Sequence, residues 1–110
     1  MAFKDKILAL SGVALAPMPY VDKTTGETAY IKRMTVADRE AYSNAVMNAP
    51  TGKSNATGFA MIMVDKNGNR LFSDSDIDAI NNLPDEVVSD ALMAFNKADE
   101  PTSVEQAEKN

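Results

Sequence analysis

Apolar and polar positions change rhythm several times along this chain, and each change marks an element. Phe3, Ile7 and Leu10 fall on one face of a helix, which predicts a short amphipathic helix at the start. Gly12–Pro19 reads as a linker, because Pro17 and Pro19 remove backbone donors and push their predecessors toward extended shapes. Tyr20-Val21 and Thr28–Met34 flank the polar stretch Asp22–Glu27 with Gly26 inside it, a hairpin signal. The alternation in the second strand is imperfect, so its buried face stays open: Ala29, Ile31 and Arg33 on one side, Tyr30, Lys32 and Met34 on the other.

The rhythm then becomes helical. Thr35 is a suitable N-cap, with Asp38 placed to reach back to it. The helix should run to about Asn48, burying Tyr42, Ala45, Val46 and Ala49, and Pro50, Thr51 and Gly52 should end it. Gly52–Gly58 reads as a polar loop. Phe59–Val64 (FAMIMV) is continuously apolar, and periodicity leaves strand and helix equally open. Asn67-Gly68 turns the chain, after which Leu71 and Phe72 should return to the core. Ser73 with Asp76 caps a new helical stretch carrying Ile77, Ile80 and Leu83. Pro84 suits the first turn of a last helix, Asp85 and Glu86 favour its dipole, and Val88, Ala91, Leu92 and Phe95 form its stripe. From Asn96 onward almost nothing can be buried. The expectation is therefore an α+β fold: one compact, mostly helical domain over residues 1–95 with a single β-hairpin in its N-terminal half. A disordered acidic tail over 96–110 completes it.

Composition removes much chemistry from consideration. The 110 residues include no Cys and no His. That excludes disulfides, thiolate zinc sites, and Ser-His or Cys-His nucleophiles. Residues 1–55 carry seven Lys or Arg against five acids, and residues 56–110 carry four against eleven. An acidic chain without a basic cluster repels phosphate backbones and anionic lipid, so neither nucleic acid nor a membrane is an expected partner. No apolar run approaches the ~20 residues of a membrane span. The first residues imitate a secretory signal, but Asp5, the Ser11-Gly12 break and Pro17 argue against it.

Several short motifs invite chemistry and fall short. MNAPTGKS (Met47–Ser54) ends like a phosphate-binding loop but lacks its first glycine and follows a helix. Asn55-Ala56-Thr57 is a sequon that needs a secreted context. Asp74, Asp76 and Asp78 suggest paired carboxylates, yet acids clustered at a helix start usually serve its dipole. DKNGNRLFSDSD (Asp65–Asp76) offers Asp65, Asn67 and Asn69 at calcium-loop positions. Its glycine comes too early, Arg70 would sit beside the ion, and Asp76 replaces the closing Glu. The expectation is no enzyme, no cofactor and no metal. Met61 and Met63 suit either core filling or an adaptable contact surface.

Three segments in order, MAFKDKILAL, YIKRMTVADREAY and VDKNGNRLFSDSDIDAINNLP, resemble the small tail assembly chaperones of long-tailed bacteriophages. The resemblance covers roughly residues 1–95. It departs at Asp38-Arg39-Glu40, where the family pattern is Glu-Arg-Asp, and at the hairpin, whose turn lacks an aromatic. It implies a non-enzymatic protein of the infected host's cytoplasm, absent from the mature virion. That protein would bind the tape measure protein, keep it soluble and help recruit tail tube subunits. It also implies a frameshifted longer product, with the acidic tail as the joint. Self-association into a homo-oligomer stays open. The candidate contact residues are Tyr42 and Val46 on the capped helix and Leu92 and Phe95 on the last one. The rival reading is a structural virion protein, either a head–tail connector or a minor tail component.

Overall fold

The computed structural model describes residues 2–98. In chain order the elements are α1 (Phe3–Leu8), β1 (Met18–Val21), β2 (Thr28–Ile31), α2 (Val36–Met47), α3 (Ser54–Ile62), β3 (Met63–Val64), α4 (Ile77–Ile80) and α5 (Asp85–Ala98). A single 3-10 turn, Asp74–Asp76, leads into α4. The architecture is α+β and mostly helical, with an antiparallel sheet ordered β1-β2-β3.

The hairpin forms where the polar stretch predicted it. The Asp22 carboxylate accepts from the Thr25 amide at 2.8 Å and its hydroxyl at 2.7 Å. Gly26 takes φ +74°, a left-handed conformation that costs a glycine little. β1 starts earlier than the expected linker allows, because Met18 and Pro19 already pair with Ile31 and Tyr30. The ladder explains how a proline fits there. The Asp22 amide donates to Glu27 O at 3.0 Å, so Tyr20 and Met18 share its inward phase. Pro19 falls on the alternate phase, where a strand amide would face outward, and its missing N–H breaks no bond. Prolines on that phase also close the sheet's outer edge to further strands.

The largest departure from the sequence reading is α3. The expected polar loop Gly52–Gly58 is helical from Ser54, and Ala56, Thr57, Gly58, Phe59, Ala60 and Ile62 are all buried. Tertiary burial overrides the weak helix propensity of Ser-Asn-Ala-Thr-Gly. The FAMIMV run divides between both alternatives: helix through Ile62, then strand at Met63-Val64, with Met63 opposite Ile31. From Ala56 onward α3 is almost wholly buried and forms the centre of the core, with α2, α4 and α5 around it. Its last carbonyls are satisfied from outside. The Lys32 amide donates to Ile62 O at 2.8 Å, and Arg70 Nε donates to Ala60 O at 3.2 Å.

Two smaller corrections follow. Leu71 does not return to the core, being 52% exposed, whereas Phe72 packs on Phe59 with ring centroids 5.5 Å apart. α5 continues through Asn96 and Lys97 to Ala98, so the tail does not begin at Asn96. The rest of the expected tail, 99–110, lies outside the described residues.

Candidate functional site

Three of the four candidate contact residues, Tyr42, Leu92 and Phe95, lie where α2 and α5 meet over α3. The N-terminus of α2 is held by the expected box: the Asp38 amide donates to Thr35 Oγ1 at 3.1 Å, and the Thr35 amide donates to Asp38 Oδ2 at 3.2 Å. That cap orients Arg39 and Tyr42, three residues apart on one face. The Tyr42 ring lies 5.0 Å from the Phe95 ring, and the Arg39 guanidinium stands 4.9 Å over Phe95 and 5.3 Å over Tyr42. Burial pushes the Tyr42 phenol up, and the charge of Arg39 partly opposes this.

Gly58 permits the close approach. A Cβ there would stand 3.0 Å from the Tyr42 hydroxyl and 3.5 Å from Leu92 Cδ2. Tyr42, Leu92 and Phe95 are therefore brought together around one glycine of α3. Phe95 is 3% exposed and belongs to the core, so it is not available to a partner in the folded chain. Tyr42 and Leu92 are partly buried against the same core. Val46 follows Tyr42 by one helical turn and stays partly exposed. Met47 follows Val46 and Met93 follows Leu92 along the chain, and they are 81% and 59% exposed. Outside that contact, α2 and α5 carry a rim of partly or fully open apolar side chains: Val46, Met47, Leu92 and Met93. Met61 and Met63 do not extend it, since Met63 is buried and Met61 largely covered.

The sequence reading missed Arg39, Gly58, Met47 and Met93. Arg39 was findable from its i−3 spacing to Tyr42. Gly58 was not, because it sat in the segment read as a loop.

The motifs that invited chemistry are engaged in the fold. Asp65 Oδ1 accepts from the amides of Asn67 at 2.8 Å and Asn69 at 3.0 Å. These bonds hold its carboxyl below the usual carboxylate range, that of Asn69 most strongly. DKNG is therefore a turn organised by Asp65. The three following aspartates have separate partners. Asp74 meets Arg70, Asp76 accepts from the Ser73 amide at 2.8 Å, and Asp78 pairs with Lys53. Lys53, the lysine of the phosphate-loop likeness, is held by that carboxylate at the start of α3. Among the described residues, no group of three or more Asp or Glu is arranged to hold a metal ion, and no helix is long and apolar enough to cross a membrane. No protein-family model, curated protein or solved structure matches this chain.

Proposed function

We propose that the chain is a non-enzymatic assembly chaperone of a long-tailed bacteriophage. It binds the tape measure protein in the host cytoplasm, keeps it soluble and helps recruit tail tube subunits. The reading is carried by one observation: three segments resembling that family follow one another in the family's order along residues 1–95. The geometry supports it with the α2–α5 rim. Met47 and Met93 are exposed and Val46 and Leu92 partly open, adaptable apolar side chains suited to masking apolar stretches of a long helical client. The net charge of −5 keeps such a complex dispersed.

Two measurements test this. Co-expression with the product of a very long reading frame downstream of this gene should yield a soluble complex. Mass spectrometry of purified virions should find the tape measure protein without this chain. Stoichiometric recovery of the chain from virions would replace the reading with that of a structural tail component.

A further inference from the structure

α2 and α5 run antiparallel where they cross α3. Leu92 meets Tyr42 at Gly58, and Phe95, one turn further on, meets both Tyr42 and Arg39. Each turn gained along α5 therefore steps back toward the start of α2. The next turn ends α5 at Ala98, directed at the first turn of α2.

Cations gather at that corner. The Arg39 guanidinium stands 4.9 Å over Phe95, and Lys32 and Arg33 border a depression with Thr35 and Asp38. Asp38 is already engaged, since its carboxylate accepts from the Thr35 amide at 3.2 Å. The sequence leaves Ala98 with Asp99-Glu100-Pro101, and Glu105 and Glu108 follow, against Lys109 alone. Two acids just past a helix C-terminus oppose its dipole, so cations beside them count for more. Reach is not limiting. From Arg39 back to Lys32 the chain spans at most about 16 Å, and residues 99–105 can extend to about 23 Å.

We propose that the acidic segment after α5 folds back as a clasp on the start of α2 of the same chain. Asp99 and Glu100 face Arg39, and Glu105 faces Lys32 and Arg33. Single exposed ion pairs are weak, but here the acids are tethered beside their partners, which raises their effective concentration. The clasp closes the end of the α2–α5 seam next to Phe95. Val46 and Met47 lie at the other end of α2, so clasp and rim can be perturbed separately.

Paramagnetic relaxation in the full chain tests the clasp. The sequence holds no Cys, so Ser103→Cys carries a nitroxide at that one position. At low salt the amide resonances of residues 33–39 should lose most of their intensity. They should recover near ~1 M salt, where exposed charges are screened. Resonances of residues 85–88, at the far end of α5, should stay sharp. Asp99→Lys/Glu100→Lys/Glu105→Lys in the labelled chain should abolish the loss, with unshifted α3 resonances showing that the variant is folded. A labelled chain without nitrogen-15 mixed with an unlabelled nitrogen-15 chain should show no loss, because the contact lies within one chain. Sharp 33–39 resonances at low salt would overturn the proposal. So would a loss that survives high salt or the charge reversal, or one equally strong in the mixed sample, which would put the segment on a second copy.

Discussion

The rings of Tyr42 and Phe95 lie 5.0 Å apart, tilted by 53°, and this contact joins α2 to α5. Phe95 is nearly fully buried, so Phe95→Ala should cost about 3–5 kcal/mol in urea unfolding. Tyr42→Ala should cost less, because part of its ring is still wet. The double variant should fall short of the sum by about 0.5–1.5 kcal/mol, the usual coupling of an aromatic pair. Strict additivity would mean that the rings are neighbours without interaction.

Gly58→Ala sets two effects against each other. Alanine should favour the helix by about 1 kcal/mol. Its Cβ would also meet the Tyr42 hydroxyl at 3.0 Å, tighter than ordinary contact. Removing that hydroxyl isolates the steric part, since the next nearest Tyr42 atom is at 3.4 Å. Gly58→Ala should therefore be more favourable in a Tyr42→Phe background than in wild type, by about 1 kcal/mol. Equal effects in both backgrounds would show that the ring moves aside freely.

Local signals were legible and burial was not. The Thr35–Asp38 box could be read because cap chemistry lies within four residues. The α5 stripe could be read because its apolar residues recur at helical spacing. α3 could not, because Ser54–Gly58 is polar or small and looks solvated. Its Gly58 is the point that lets Tyr42 and Leu92 approach. The candidate site suffered from the same gap. The stripe on α5 showed Phe95 to be apolar, but not that α2 would cover it. Leu71 failed in the opposite direction, since an apolar residue after a turn need not find a layer above it.

Acid should destabilise the fold through its turn and cap aspartates. Asp38 is held below the usual carboxylate range chiefly by the Thr35 amide, and Asp65 chiefly by that of Asn69. Asp22 is held down first by its side-chain bond to Thr25. A depressed folded-state pKa gives stability that is complete above the unfolded value, about 3.9. That stability is lost as pH falls through the folded values. The urea midpoint should therefore be level from neutrality to about pH 5 and decline below about pH 4. Asp65→Asn should make the decline shallower, because one of the titrating groups is gone. An unchanged slope would show that Asp65 ionisation does not stabilise the turn.

Thr35→Ala removes the hydroxyl that accepts from the Asp38 amide and should cost about 1 kcal/mol. Thr35→Ser keeps an oxygen in place and should cost much less. Circular dichroism during thermal unfolding distinguishes them. If both variants lose the same stability, the methyl of Thr35 matters rather than its cap.

Binding and folding should separate between the rim and the core of the α2–α5 face. Met93 is 59% exposed and Val46 lies partly open, so Met93→Asp and Val46→Asp should leave the melting temperature close to wild type. If the proposed function holds, each should weaken capture of a tape measure protein about tenfold or more, on the order of 1.4 kcal/mol per substitution. Phe95→Ala should lose stability and capture together, because its effect passes through the docking of α5. Phe3→Asp, on the exposed α1, should spare capture. The opposite pattern, with rim variants binding normally and Phe3→Asp failing to bind, would move the client surface from α2 and α5 to the α1 arm.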